Sequence, residues 1–133
     1  MNIEFMMSSK AYHSFNGVTG ARMGERHPVM IKAKMESIIA VMASSERHAH
    51  AEYFCEGYLI PPKIEKYERV IEWINNNGCV YAPIIDLLRN SASDFKICDG
   101  RHTLIALKKY FLMEEIKVVV PHDKQFLLSE AFG

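Results

Sequence analysis

The stretch "FKICDGRHTLIALKKYF" (Phe95–Phe111) changes character part-way along. Phe95 to Cys98 reads as a short apolar strand, with the Cys98 thiol buried in it. Residues 101–112 read as a helix with Leu104, Leu107 and Phe111 on one face. Between them stands Asp99-Gly100-Arg101-His102-Thr103. A helix N-terminus exposes unpaired backbone N–H groups and carries partial positive charge. Glycine lets the chain turn sharply and lets a ligand come close. Arg101 adds a planar fork of donors suited to phosphate, and His102 and Thr103 add a tunable donor and a hydroxyl. The pattern points to an anion pocket in which Gly100, Arg101, His102 and Thr103 hold phosphate. Asp99 either caps the helix or holds a divalent metal that accompanies a nucleotide phosphate. Asp99 and His102 are the candidate catalytic residues. The plainer reading of the same turn is a capped helix start with solvated basic residues, because short motifs recur by chance.

Working outward, "EIKVVVP" (Glu115–Pro121) is a β-branched run and the clearest strand, followed by a short tail helix in 122–132. "NSASD" (Asn90–Asp94) is a turn. "CVYAPIIDLLR" (Cys79–Arg89) reads as a strand that Pro83 confines to an edge, or one that begins only after the proline. Ile64, Tyr67, Val70, Ile71 and Ile74 mark an amphipathic helix over 63–76, which Gly78 is suited to close. "YFCEGYLI" (Tyr53–Ile60) reads as a strand. Pro28 can open a helix, and Ile31, Met35, Ile38, Ile39 and Met42 predict one over 29–44. Residues 1–27 read as an irregular arm or loop. Interleaved helices and short strands predict an α+β fold, a small mixed sheet with flanking helices. The expected division is an N-terminal arm and helix (1–52) and a domain over 53–133.

At 133 residues, 49% hydrophobic and 24% charged, the chain has material for one core. No apolar run of about 18 residues is present, so no membrane span is expected. The start lacks a basic segment followed by an apolar block, so no secretory signal is expected. The formal net charge is zero, which argues against a partner bound through the overall field. Cys55, Cys79 and Cys98 show no CxxC pairing, so neither a disulfide framework nor a zinc site is expected, and a cytoplasmic setting fits.

Other clusters read more weakly. His48, His50 and Glu52 would share a face only on a strand, and no metal site is expected there. Gly24–His27 could reach over the pocket as a basic lid. Lys108, Lys109, Lys117 and Arg89 could rim it, although a solvated face is the plainer account. Tyr67, Trp73, Tyr81 and Tyr110 could offer a stacking surface, although core packing is the commoner use of that spacing. The tail residues Phe126, Leu127, Leu128 and Phe132 dock on their own domain or form a dimer contact.

The order of elements resembles the ParB/sulfiredoxin-like superfamily over residues 60–121. The matching pieces are Pro83-Ile84-Ile85, Asp99-Gly100-Arg101-His102, Ala106 and Ile116 to Val120, with the helix over 63–76 before them. The resemblance implies the superfamily's sheet and a phosphate-binding turn at a helix start. Arg101 stands where sulfiredoxins carry their catalytic cysteine, so sulfinic acid reductase chemistry is not expected. The glutamate and last arginine of the partition-protein signature are also absent. The leading expectation is a domain that binds a nucleotide or other phosphate ligand, with Mg²⁺ arriving on the nucleotide and hydrolysis as a further step. The alternatives are a DNA- or RNA-associated protein or nuclease of a mobile element, and a non-enzymatic protein-interaction module. Expected partners are a phosphate-bearing ligand, nucleic acid or a second copy of the chain, with no membrane.

Overall fold

The computed structural model describes residues 2–17, 25–44, 61–87 and 95–133. The expected strand at 53–60, the His48/His50/Glu52 cluster, the turn at 90–94, Arg89 and Cys55 lie outside these residues. In chain order the elements are β1 (Glu4–Met6), α1 (Lys10–Asn16), β2 (Pro28–Lys34), α2 (Met35–Ser44), α3 (Ile64–Asn77), β3 (Cys79–Tyr81), β4 (Ile84–Leu87), β5 (Phe95–Asp99), α4 (Arg101–Lys109), β6 (Glu115–Pro121), a 3₁₀ turn (His122–Lys124) and α5 (Gln125–Phe132). The α+β class therefore holds. Four strands form a mixed sheet in the order β2-β6-β4-β5, and β1 and β3 form a separate parallel pair. β6 runs antiparallel to β2 and parallel to β4, and β4 and β5 form an antiparallel pair.

Two expectations for the N-terminal part are corrected. Residues 1–27 are not an irregular arm throughout: Glu4, Phe5 and Met6 pair with Cys79, Val80 and Tyr81, and α1 follows. The helix expected from residue 29 starts only at Met35. Before it, Ile31 and Ala33 are buried while Lys32 and Lys34 are exposed, a period of two that belongs to a strand. Pro28 opens β2 rather than a helix, which an edge strand tolerates. Seven residues of β2 pair with β6, from Pro28 opposite Pro121 to Lys34 opposite Glu115. The division expected after residue 52 falls outside the described residues, and strands from both sides of it pair with one another.

Pro83 splits the segment expected as one strand. Cys79–Tyr81 joins β1, and β4 starts directly after the proline, inside the larger sheet. α3 ends as expected, with Gly78 left-handed (φ 67°) and its N–H donating to the Ile74 carbonyl at 2.8 Å. α4 stops at Lys109, short of residue 112, because the chain turns back there. The Phe111 amide bonds the Ala106 carbonyl, the Met113 amide bonds the Leu107 carbonyl, and Leu112 takes a left-handed φ of 54°.

The sheet is covered on both faces. On one, Ile31, Ala33, Ile85, Phe95, Ile116, Val118 and Val120 meet Ile38 and Met42 of α2, Ile74 of α3, Leu104, Ile105 and Leu107 of α4, and Leu128 and Phe132 of α5. On the other, Ile84 and Val119 meet Ala11 and Phe15 of α1. Each fully buried Leu, Ile or Phe contributes about 1.5–3 kcal/mol. The tail therefore docks on its own domain through Leu128 and Phe132, and the Phe132 ring packs edge-on against Phe95 at 5.4 Å. Phe126, four-fifths exposed, takes no part. No helix among the described residues is long and apolar enough to cross a membrane.

Phe132→Ala is expected to lower unfolding free energy by about 3–5 kcal/mol, and Phe126→Ala by less than about 0.5 kcal/mol. Urea titration of both variants followed by circular dichroism measures the difference. Equal losses would mean that α5 does not pack as described.

Candidate functional site

The site grows from the end of β5. Gly100 has φ 98°, a left-handed conformation that side chains rarely adopt, and a Cβ there would lie 3.0 Å from the Pro83 Cα. The turn therefore needs glycine twice, for its angle and for the close approach. Gly100 occupies the N-cap position of α4 and, having no side chain, supplies no side-chain cap. The capping role considered for Asp99 is corrected here: Asp99 ends β5 opposite Ile84 and is exposed.

Between this turn and α3 lies a cavity of about 450 Å³. Asp99, Gly100, Arg101, His102 and Thr103 all line it, so the expected phosphate residues are brought together. α3 forms the opposite wall with Lys66, Arg69 and Val70. Sequence reading missed Lys66 and Arg69. They stand three apart on one helix face (with Val70), a spacing that was available but was overshadowed by the apolar stripe. Among the described residues three basic side chains and one carboxylate, Asp99, thus line the cavity. The rim expected from Lys108, Lys109 and Lys117 does not form: none of them lines the cavity, and Lys108 lines a separate hollow with Lys34, Glu36, Glu114 and Glu115.

His102 is 8% exposed and joins the two walls. Its Nε2 accepts the backbone N–H of Lys63, the residue that opens α3, at 3.1 Å. With that nitrogen accepting, the ring carries its proton on Nδ1. His102 therefore holds α3 to α4 while lining the cavity.

The lid considered for Gly24–His27 is corrected at its described residues. The Arg26 guanidinium is bound to the buried Asp86 carboxylate by two hydrogen bonds of 2.8 Å, and its Nε donates to Asp123 at 3.0 Å. Asn16 grips the Arg26 backbone at both its N–H and its carbonyl. Asp86 also accepts the Leu87 amide at 2.7 Å. This group packs beside α1, with the Arg26 guanidinium 5.8 Å from the centre of the Phe15 ring, so Arg26 is committed elsewhere.

Cys98 lines the cavity but is half-buried, and burial pushes its thiol up to about 11. A protonated thiol is a poor nucleophile. Among the described residues no group of three His, Cys, Asp or Glu is placed to hold a metal ion.

Gly100→Ala is expected to destabilise the fold by about 2–3 kcal/mol, from the left-handed angle and the contact with Pro83; thermal unfolding reads this out. In a Cys55→Ser/Cys79→Ser chain, Cys98 is expected to react with iodoacetamide at about pH 8 roughly a hundredfold more slowly folded than in urea. The sign follows from the raised value: below pH 9 both states hold the proton, and above it the unfolded chain loses it first, so stability falls as pH rises towards 11. Equal labelling rates would overturn the burial.

The chain matches no protein-family model, no curated protein and no solved structure.

Proposed function

We propose that this protein binds a nucleotide, or a ligand with similar phosphates, at the β5–α4 turn, on a ParB/sulfiredoxin-like scaffold. The observation that carries the reading is the convergence of Lys66, Arg69 and Arg101 on one cavity at the start of a helix. The dipole of a helix start favours an anion, and the three basic side chains against one carboxylate among the described lining residues strengthen that preference locally although the whole chain is neutral. A cavity of about 450 Å³ suits a small ligand rather than a lone ion.

The scaffold reading draws support from element order: α3, then β4 after Pro83, the antiparallel β4–β5 pair, the Asp99-Gly100 turn, α4 and β6 beside β4. In this reading Asp99 meets the Mg²⁺ that a nucleotide carries, and Arg101, Thr103, Lys66 and Arg69 hold phosphate oxygens. His102 positions the two walls. The half-buried free thiols of Cys79 and Cys98 support the cytoplasmic setting.

Isothermal titration with CTP, ATP, ADP and GTP, with and without magnesium, tests the reading. At least one is expected to bind, with affinity falling as salt rises. Arg69→Ala should weaken it about tenfold, the loss expected for one charge-assisted hydrogen bond. Absence of heat with every nucleotide would overturn it.

A further inference from the structure

A second, apolar hollow of about 290 Å³ adjoins the cationic cavity, walled by Val70, Trp73, Val80 and Tyr81. Arg69, Val70 and Thr103 line both spaces, so the two are neighbours. Two of its aromatic rings are unusually open for their size: Trp73 is 47% and Tyr81 52% exposed. Tyr67, by contrast, packs against the core, and Tyr110, though 53% exposed, lines neither space. The placement follows from local structure. Trp73 lies four residues after Arg69 on α3, one turn further along the face that carries Lys66. Tyr81 follows Val80 on β3, and the strand's alternation turns Val80 inward and leaves Tyr81 out.

We propose that this hollow is the base subsite of the same nucleotide site, where Trp73 and Tyr81 receive the planar base of a nucleoside phosphate whose phosphates lie against Lys66, Arg69 and Arg101. The inference rests on the phosphate reading and adds to it the part of the ligand that carries no charge. A ligand with an anionic end and a flat apolar end, joined by a short polar piece, matches a cationic cavity beside an aromatic one. Every base has a π-face, so stacking supplies affinity with little discrimination among bases. Arg69 lines both spaces, so its guanidinium is within reach of either the phosphate or the base edge. A mononucleotide is favoured over a nucleic acid strand because the cations gather in one cavity and the chain has no net charge.

Trp73 is the single tryptophan of the chain, so its emission reports this subsite alone. The experiment titrates the protein with CTP, ATP and inorganic tripolyphosphate and reads heat and Trp73 fluorescence together. The nucleotides are expected to quench the emission and to bind about tenfold more tightly than tripolyphosphate, which binds without quenching. Trp73→Ala should bring the nucleotides down to the tripolyphosphate affinity and leave tripolyphosphate unchanged. Trp73→Phe should keep most of the difference, and Tyr81→Ala should lose part of it. Equal affinities with no quenching would overturn the base subsite and leave the phosphate site standing. Failure of all three ligands to bind would overturn both. Quenching by oligothymidylate, steeply weakened by salt, with none by mononucleotides, would overturn the assignment in favour of a single strand.

Discussion

A side chain on Gly100 would begin 3.0 Å from the Cα of Pro83 and 3.3 Å from its Cβ, so the two backbones meet with nothing between them. Pro83 sits where β3 and β4 part company, and its carbonyl accepts the amide of Val119 in the middle of β6 at 2.8 Å. One contact therefore fixes the end of β5 against the start of β4 and, through the proline, against the central strand. α4 leaves from this point with Gly100 at φ 98°, and its buried Leu104, Ile105 and Leu107 fix its path over the sheet. The direction of the helix start, and with it the cavity, is set by packing before any ligand arrives.

Charge is handled in opposite ways on the two sides of the sheet. Beside α1, Arg26 and Asp86 are matched by two hydrogen bonds, with Asp123, Asn16 and the Leu87 amide completing the set. A buried pair of this kind stands because nearly every donor and acceptor is used, and removing one partner of such a pair costs about 3–5 kcal/mol. On the α3 side, three basic side chains share one exposed carboxylate. A chain of zero net charge has thus placed a carboxylate against Arg26 and gathered three basic side chains and one carboxylate among the described residues of the cavity. That separation comes from the fold and does not appear in composition.

Periodicity made α3, β5, α4, β6 and the tail helix legible in the sequence, because each keeps one pattern from end to end. β2 was hidden because Ile31 and Met35 fit a helix as well as Ile31 and Ala33 fit a strand, and only pairing with β6 decides between them. β1 and α1 are short, and their stability comes from partners far along the chain, Cys79–Tyr81 for one and Ala82, Ile84 and Val119 for the other. At the site, Gly100 was legible because its backbone requirement is local. Asp99 was mistaken for a possible cap because carboxylates are favoured there, whereas pairing with Ile84 holds it in β5. Lys66 and Arg69 were passed over because the direction a polar helix face looks depends on what packs behind it.

The link from His102 to Lys63 bears on how the site would work. The two walls of the cavity belong to elements separated by β3, β4 and β5 in the chain, yet a single bond of 3.1 Å joins the start of one to the start of the other. The buried ring is held by its neighbours, and its Nε2 satisfies an amide at the beginning of α3 that no side chain of its own turn caps. Because Lys66, Arg69 and Trp73 ride on one rigid helix, fixing that helix at Lys63 fixes the spacing between the charged and the aromatic parts of the surface together. An arrangement held in this way lowers the ordering cost of binding. It also makes the distance between the charged and the aromatic parts, rather than the identity of any one contact, the property that the fold holds constant.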